Sequence, residues 1–230
     1  MSLPALLLVH GAWHDSSAWP LLASYLPDVD VRTVRLPSTG EDPRLLGDLY
    51  ADAAHIEAVL GTIGGPAVLL GHSYGGAPVS QTPAVPGLVR VIYLAAMMQE
   101  VGDAVLTPTG GVHPWYWDVH ETDGDRPGHF GVRDPLEVLY NGVDPQLAKA
   151  AAGSLRSQSL ASVTQPLTRA LWHDVPSSYI VCEQDRAIPA EFQRSMAQHA
   201  DRVRLIDSGH SPFLSHPEEL ARLIREEMTI

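Results

Sequence analysis

Gly71-His72-Ser73-Tyr74-Gly75 is the stretch from which the rest of this 230-residue chain is best read. An apolar run, Pro66-Ala67-Val68-Leu69-Leu70, precedes it, and Gly76-Ala77 follows. The pattern is Gly-x-Ser-x-Gly between a buried strand and a helix start, which is the sequence form of a nucleophile elbow. Such a turn imposes unfavourable backbone angles on the serine, and glycines stand where a Cβ would collide. It lifts the hydroxyl clear of the sheet and aims the following N–H groups at a developing oxyanion. The competing reading is a glycine-rich turn whose serine only caps the helix.

Outward from the pentapeptide, strand-like and helix-like stretches alternate. Residues 6–10 and 66–70 are aliphatic runs, residues 30–36 alternate as a strand does, and residues 89–95, 178–183 and 203–207 read as further strands. Helical spacing recurs at 17–25, 44–60, 190–199 and 217–227, with Gly61 and Gly64-Gly65-Pro66 ending the second. Pro37-Ser38-Thr39-Gly40 reads as a loop. Alternation of this kind predicts a mostly parallel sheet of about six strands flanked by helices, with ligands at the carboxyl ends of the strands. Residues 99–172 interrupt the rhythm. Helical stretches near 135–140 and 145–155 and the absence of a long strand predict an inserted helical lid. The division expected is a core domain in two parts, 1–98 and 173–230, around a lid insertion, 99–172.

Composition narrows the class of partner. Lysine plus arginine number 15 against 27 aspartates plus glutamates, a formal charge of −12. That balance disfavours nucleic acid, whose phosphates reward basic patches, and anionic membranes. No run approaches the roughly 20 apolar residues needed to span a bilayer. The stretch 3–9 is apolar but lacks a basic leader and reads as a first strand. Cys182 is the one cysteine and lies in an apolar run, Tyr179-Ile180-Val181, so it reads as a core residue. The expectations are a cytoplasmic location, a small-molecule partner and compatibility with a homodimer. Eleven histidines occur without His-Glu-x-x-His or clustered Cys/His spacing, so no metal is expected.

A serine hydroxyl needs a base to take its proton and a carboxylate to hold that base. In this topology they follow in the order Ser, Asp/Glu, His, on loops after later strands. Cys182-Glu183 leads into Gln184-Asp185-Arg186, and Ile206-Asp207 leads into Ser208-Gly209-His210. Asp185 and His210 are therefore the candidate acid and base for Ser73. Glu183, Asp207 and Asp103 are weaker carboxylates, and His72, His199 and His216 weaker bases. The oxyanion donors expected are the N–H of Tyr74 and, from His10-Gly11-Ala12-Trp13, the N–H of Ala12, with Gly11 or Trp13 as alternatives. Trp13, Met97, Met98, Trp115 and Trp117 suggest an apolar substrate pocket, or equally the packing of a small core.

The segments Val9-His10-Gly11-Ala12-Trp13-His14, Gly71-His72-Ser73-Tyr74-Gly75-Gly76, Asp185-Arg186-Ala187-Ile188-Pro189 and Ser208-Gly209-His210 together resemble the α/β-hydrolase fold. Within it the chain is similar to the small-lid branch of plant methyl esterases, hydroxynitrile lyases and bacterial esterase-like hydrolases. Ser38-Thr39-Gly40-Glu41-Asp42-Pro43-Arg44 and Glu191-Phe192-Gln193 support that placement. The resemblance implies Ser73, Asp185 and His210 as a triad, Ala12 and Tyr74 as oxyanion donors, and no cofactor. The lyases of the branch carry a threonine after the first strand and a lysine after the catalytic histidine. Gly11 and Ser211 stand there, which argues against cyanohydrin cleavage. The first two strands of larger members find no room before Leu3. The function expected is hydrolysis of a carboxylic ester with a small, aromatic or medium acyl group through an acyl-enzyme. The alternatives are the same triad acting on a thioester, lactone or carbon–carbon bond, and a binding protein that has kept the triad without turnover.

Overall fold

The structure, a computed structural model, describes residues 3–229. Its strands are β1 (Ala5–Val9), β2 (Val31–Thr33), β3 (Thr39–Gly40), β4 (Ala67–His72), β5 (Leu88–Leu94), β6 (Trp117–His120), β7 (His129–Val132), β8 (Ser157–Ser159), β9 (Ser177–Cys182) and β10 (Arg202–Ile206). Six of them form the central sheet in the order β10-β9-β5-β4-β1-β2, with every pairing parallel. Parallel strands need crossovers, and the helices that supply them cover both faces. That explains why β1, β4 and β9 are buried along their whole lengths and carry the apolar runs 5–9, 67–70 and 179–182.

Side chains still alternate across the sheet. Leu7, Val9, Leu69, Tyr93 and Tyr179 enter one core, together with Leu49 and Ile56 of the helix Leu49–Leu60. Leu6, Leu8, Val68, Ile92 and Ile180 enter the other, against Leu22 and, from the helix Pro217–Met228, Leu220 and Ile224. β10 closes one edge. It is partly exposed, and its arginines reach the C-terminal helix.

Three expectations are corrected. The helix expected over residues 44–60 begins at Leu49, because Asp48 caps it by accepting the N–H of Ala51 at 2.9 Å. Before it, Asp42 caps a separate 3₁₀ turn, Pro43–Leu45. The insertion is also not purely helical. It contributes β6, β7 and β8 to a second, antiparallel sheet of order β3-β8-β7-β6. These strands have three or four residues each, too few for their alternation to show in the sequence. Thr39 and Gly40, expected in a loop, supply β3 and join the insertion to the core through a backbone ladder. Short helices at Pro135–Val138, Pro145–Ala152 and Ala161–Thr164 complete the insertion.

Candidate active site

The chain leaves β4 through a tight turn at Ser73, which takes φ 56°, a left-handed angle that costs a non-glycine residue about 1–3 kcal/mol. The turn is held from both sides. Met97 N–H donates to Ser73 O at 3.0 Å. A Cβ on Gly75 would meet His10 O at 2.6 Å and Val9 O at 3.0 Å, so only glycine lets the turn pack against the end of β1. A Cβ on Gly11 would meet Ser73 Cβ at 2.8 Å. Glycine at that position thus makes room for the serine side chain itself.

Asp185 leaves the end of β9 and His210 follows β10, so three strand exits bring the side chains to one edge of the sheet. Ser73 Oγ lies 3.0 Å from His210 Nε2, and His210 Nδ1 lies 2.7 Å from Asp185 Oδ2. A carboxylate only accepts, so Nδ1–H donates to it and Nε2 is free to accept the serine proton. His210 and Asp185 are both buried. Asp185 Oδ1 accepts the N–H groups of Ala187 and Ile188 at 2.7 and 2.9 Å, and Oδ2 accepts Gln193 Nε2–H at 2.8 Å. The remaining candidates lie elsewhere. Glu183 pairs with Arg194, and Asp207 Oδ1 accepts Gln184 Nε2–H. His199 leans on Trp172. His216 Nδ1 lies 2.9 Å from Ser215 Oγ and makes no capping bond to the helix it precedes.

His72, expected to point away, lies beside the triad. Its ring centroid is 4.6 Å from that of His210, and its Nε2–H donates to the His210 carbonyl at 2.8 Å. Burial holds its pKa well below the ordinary 6.5, so it is a neutral support for the base loop. His10 and His14 are buried nearby, and desolvation lowers each to about 4. His14 Nδ1–H donates to Ala12 O at 2.8 Å, which fixes the loop after β1. Cys182 is buried in β9, and desolvation pushes its thiol pKa well above the usual value, which leaves it inert.

A cavity of about 150 Å³ opens onto Ser73 and His210. Ala12, Trp13, Tyr74 and Met97 form its floor side, and Leu106, Tyr116, Trp117 and Val163 of the insertion face it, as do Ile188 and Phe192. No lysine, arginine or carboxylate lines it among the described residues. Ala12 N–H has no protein acceptor among the described residues, whereas Trp13 N–H is directed at Gln158 Oε1, 3.4 Å away.

The expectation for Trp115 is corrected: it is 64% exposed and lies outside the lining. Trp117 N–H donates to Pro114 O here, and within that turn strand alternation does not govern where successive rings point. Met98 also stays behind the lining, with its N–H against Met196 Sδ. The sequence assigns no role to Asp52 or Gln158, and marks Gln193 only as part of the family-like segment Glu191-Phe192-Gln193. Each is a polar residue within or beside an element whose partners lie far away along the chain, so no local spacing marks it.

The chain belongs to the alpha/beta hydrolase family, whose sequence model matches residues 6–223. It is similar to the alpha/beta hydrolase nvfD of Aspergillus novofumigatus, at 31% identity over 98% of this chain and 96% of that protein. It is also similar to polyneuridine aldehyde esterase of Rauvolfia serpentina, at 26% identity over 95% and 93%. The crystal structure of a polyneuridine aldehyde esterase superposes with a TM-score of 0.83, covering 98% of this chain and 99% of that one at 19% identity. No helix among the described residues is long and apolar enough to cross a membrane.

Proposed function

We propose that the protein is a serine hydrolase that cleaves carboxylic esters through an acyl-enzyme. The observation that carries this is the unbroken hydrogen-bonded chain from Ser73 through His210 to Asp185, at 3.0 and 2.7 Å. His210 Nε2 takes the Ser73 proton as Oγ attacks the ester carbonyl. Ala12 and Tyr74 N–H groups receive the oxyanion, each worth about 3 kcal/mol in the transition state. His210 then returns the proton to the leaving alcohol, and water repeats the sequence to free the acid.

The cavity supports a neutral, apolar acyl group. A space of this size lined by apolar side chains takes a benzene-sized guest. Among the described residues no lysine or arginine lines it to pair with a carboxylate or phosphate on the acyl group. The same absence, with Ser211 where the lyases carry lysine, disfavours cyanohydrin cleavage. Residues 99–172 act as the lid in this reading. Ser73→Ala should abolish hydrolysis of p-nitrophenyl butyrate while leaving the far-ultraviolet circular dichroism unchanged. Undiminished turnover by that folded variant overturns the assignment.

A further inference from the structure

Asp52 is a fully buried carboxyl group on the helix Leu49–Leu60, beneath the active-site turn. Three donors converge on it. Ser38 N–H donates to Oδ1 at 2.8 Å, and Ser38 Oγ–H and Tyr74 O–H donate to Oδ2 at 2.5 and 2.6 Å. No cation is within ion-pair distance of it among the described residues. The network continues. Gln158 Nε2–H donates to Ser38 Oγ at 2.8 Å, and Gln158 Oε1 accepts Thr39 Oγ1–H at 2.6 Å and faces Trp13 N–H. One buried polar cluster therefore holds the side chain of Tyr74 and the backbone next to Ala12, the two residues that offer N–H groups to the oxyanion. Neither the triad nor the substrate cavity uses Asp52.

We propose that Asp52 is a positioning residue for the oxyanion pocket, holding Tyr74 and the loop after β1 in register with Ser73 only in its ionised form. The proposal rests on the hydrolase reading above. As a carboxylate, Asp52 accepts all three donors. Once protonated, Oδ2 carries a hydrogen, and the Ser38 and Tyr74 hydroxyls can no longer both donate to it. One hydroxyl must accept that hydrogen and redirect its own; the Ser38 oxygen already accepts from Gln158, so the rearrangement falls on Tyr74. The titratable groups that face Asp52 are Tyr74, whose hydroxyl burial drives well above 10, and Asp48 at the head of the same helix. Burial pushes Asp52 up from 3.8 to about 7, against the lowering effect of its bonds to Ser38 and Tyr74. The ionised form is therefore lost as pH falls through neutrality, in the range where the enzyme would work.

The test is the pH dependence of kcat/KM for p-nitrophenyl butyrate in the wild type, Asp52→Asn and Tyr74→Phe. The acid limb should be steeper in the wild type than in either variant by about one proton, the one Asp52 takes up. At pH about 8, kcat should drop about tenfold to a hundredfold in each variant, with KM changed less than about threefold, as for a misplaced donor. An acid limb no steeper in the wild type than in the variants, or variants with wild-type kcat, overturns the proposal. If Asp52→Asn does not fold, Tyr74→Phe, which removes one oxygen, makes the same test. A wild type that neither hydrolyses the ester nor is labelled at Ser73 by a fluorophosphonate overturns the hydrolase reading itself. An active wild type with indifferent variants overturns this assignment alone.

Discussion

Gln193 shows how much of the site rests on residues that never touch substrate. Its Nε2 donates to Asp185 Oδ2 at 2.8 Å and to Ile188 O at 2.7 Å, and its Oε1 accepts Cys182 N–H at 3.0 Å. It ties the end of β9 to the acid loop. Gln193→Leu should lower kcat about tenfold by loosening Asp185, since precise placement of the base is what catalysis depends on. It should also destabilise the fold by about 1–3 kcal/mol by leaving Cys182 N–H unpaired. Steady-state kinetics and urea unfolding measure the two effects separately. A second substitution probes the turn. Gly75→Ala places a methyl against His10 O and Val9 O, two backbone atoms that cannot swing aside. It should reduce kcat together with stability, by about 1–3 kcal/mol in the urea titration. At this scale Ser73, Asp185 and His210 are readable because each follows a strand and carries the chemistry its place requires. Gln193 and Asp52 are not readable. A glutamine eight residues after the acid, or an aspartate inside an amphipathic helix, becomes meaningful only when the fold brings its partner from another part of the chain.

The elements repeat that contrast. The inner strands of the core sheet are legible because burial on both faces fills them with apolar residues, and the edge strands β2 and β10 only through their alternation. β6, β7 and β8 are short and half polar, and they pair mostly with one another, so the sequence offers only turn residues and helix fragments across 99–172. The final helix carries a different lesson. Glu227 is completely buried at its end. It accepts Ser178 Oγ–H at 2.5 Å, pairs with Arg204 at 2.9 Å and lies within 4 Å of Arg90 and Arg202. It thereby pins the helix to β5, β9 and β10. Glu227→Ala would leave the almost fully buried Arg90 without its counter-charge, and it should destabilise the fold by about 3 kcal/mol. The readout is the urea midpoint. Because this cluster includes no triad or cavity residue, kcat of the folded fraction should stay within about twofold of wild type.

For the molecule as a whole, buried titratable groups set the acid response. His10, His14 and His72 are neutral in the fold because burial lowers their pKa values, to about 4 for the first two. In the unfolded chain they bind protons below about 6.5. As pH falls from about 6.5 toward 4, the unfolded state therefore takes up more protons and stability is lost. Asp52 acts in the opposite sense. Its raised pKa means that the folded state binds the extra proton between 3.8 and about 7, so its contribution improves on acidification. Three histidines outweigh one aspartate. The urea midpoint should fall as pH drops from about 6.5 to about 4.5, and His10→Gln should flatten that decline by about one proton.

The pairing of β3 with β8 ties the segment over Ser73 to the rest of the fold. Ser159 N–H donates to Ser38 O at 2.9 Å, and Gln165 and Arg156 reach Asp48 and Asp15 in the core. A covering stitched down by main-chain bonds cannot swing away as a rigid flap. Residues 107–113, by contrast, bond only to their near neighbours in sequence, yet Pro108 and Thr109 belong to the cavity wall. In the hydrolase reading, residues 107–113 are the part of the cavity wall expected to move when substrate enters. Amide hydrogen exchange should show fast, inhibitor-sensitive protons there, and slow ones at Ser159 whether or not Ser73 is acylated.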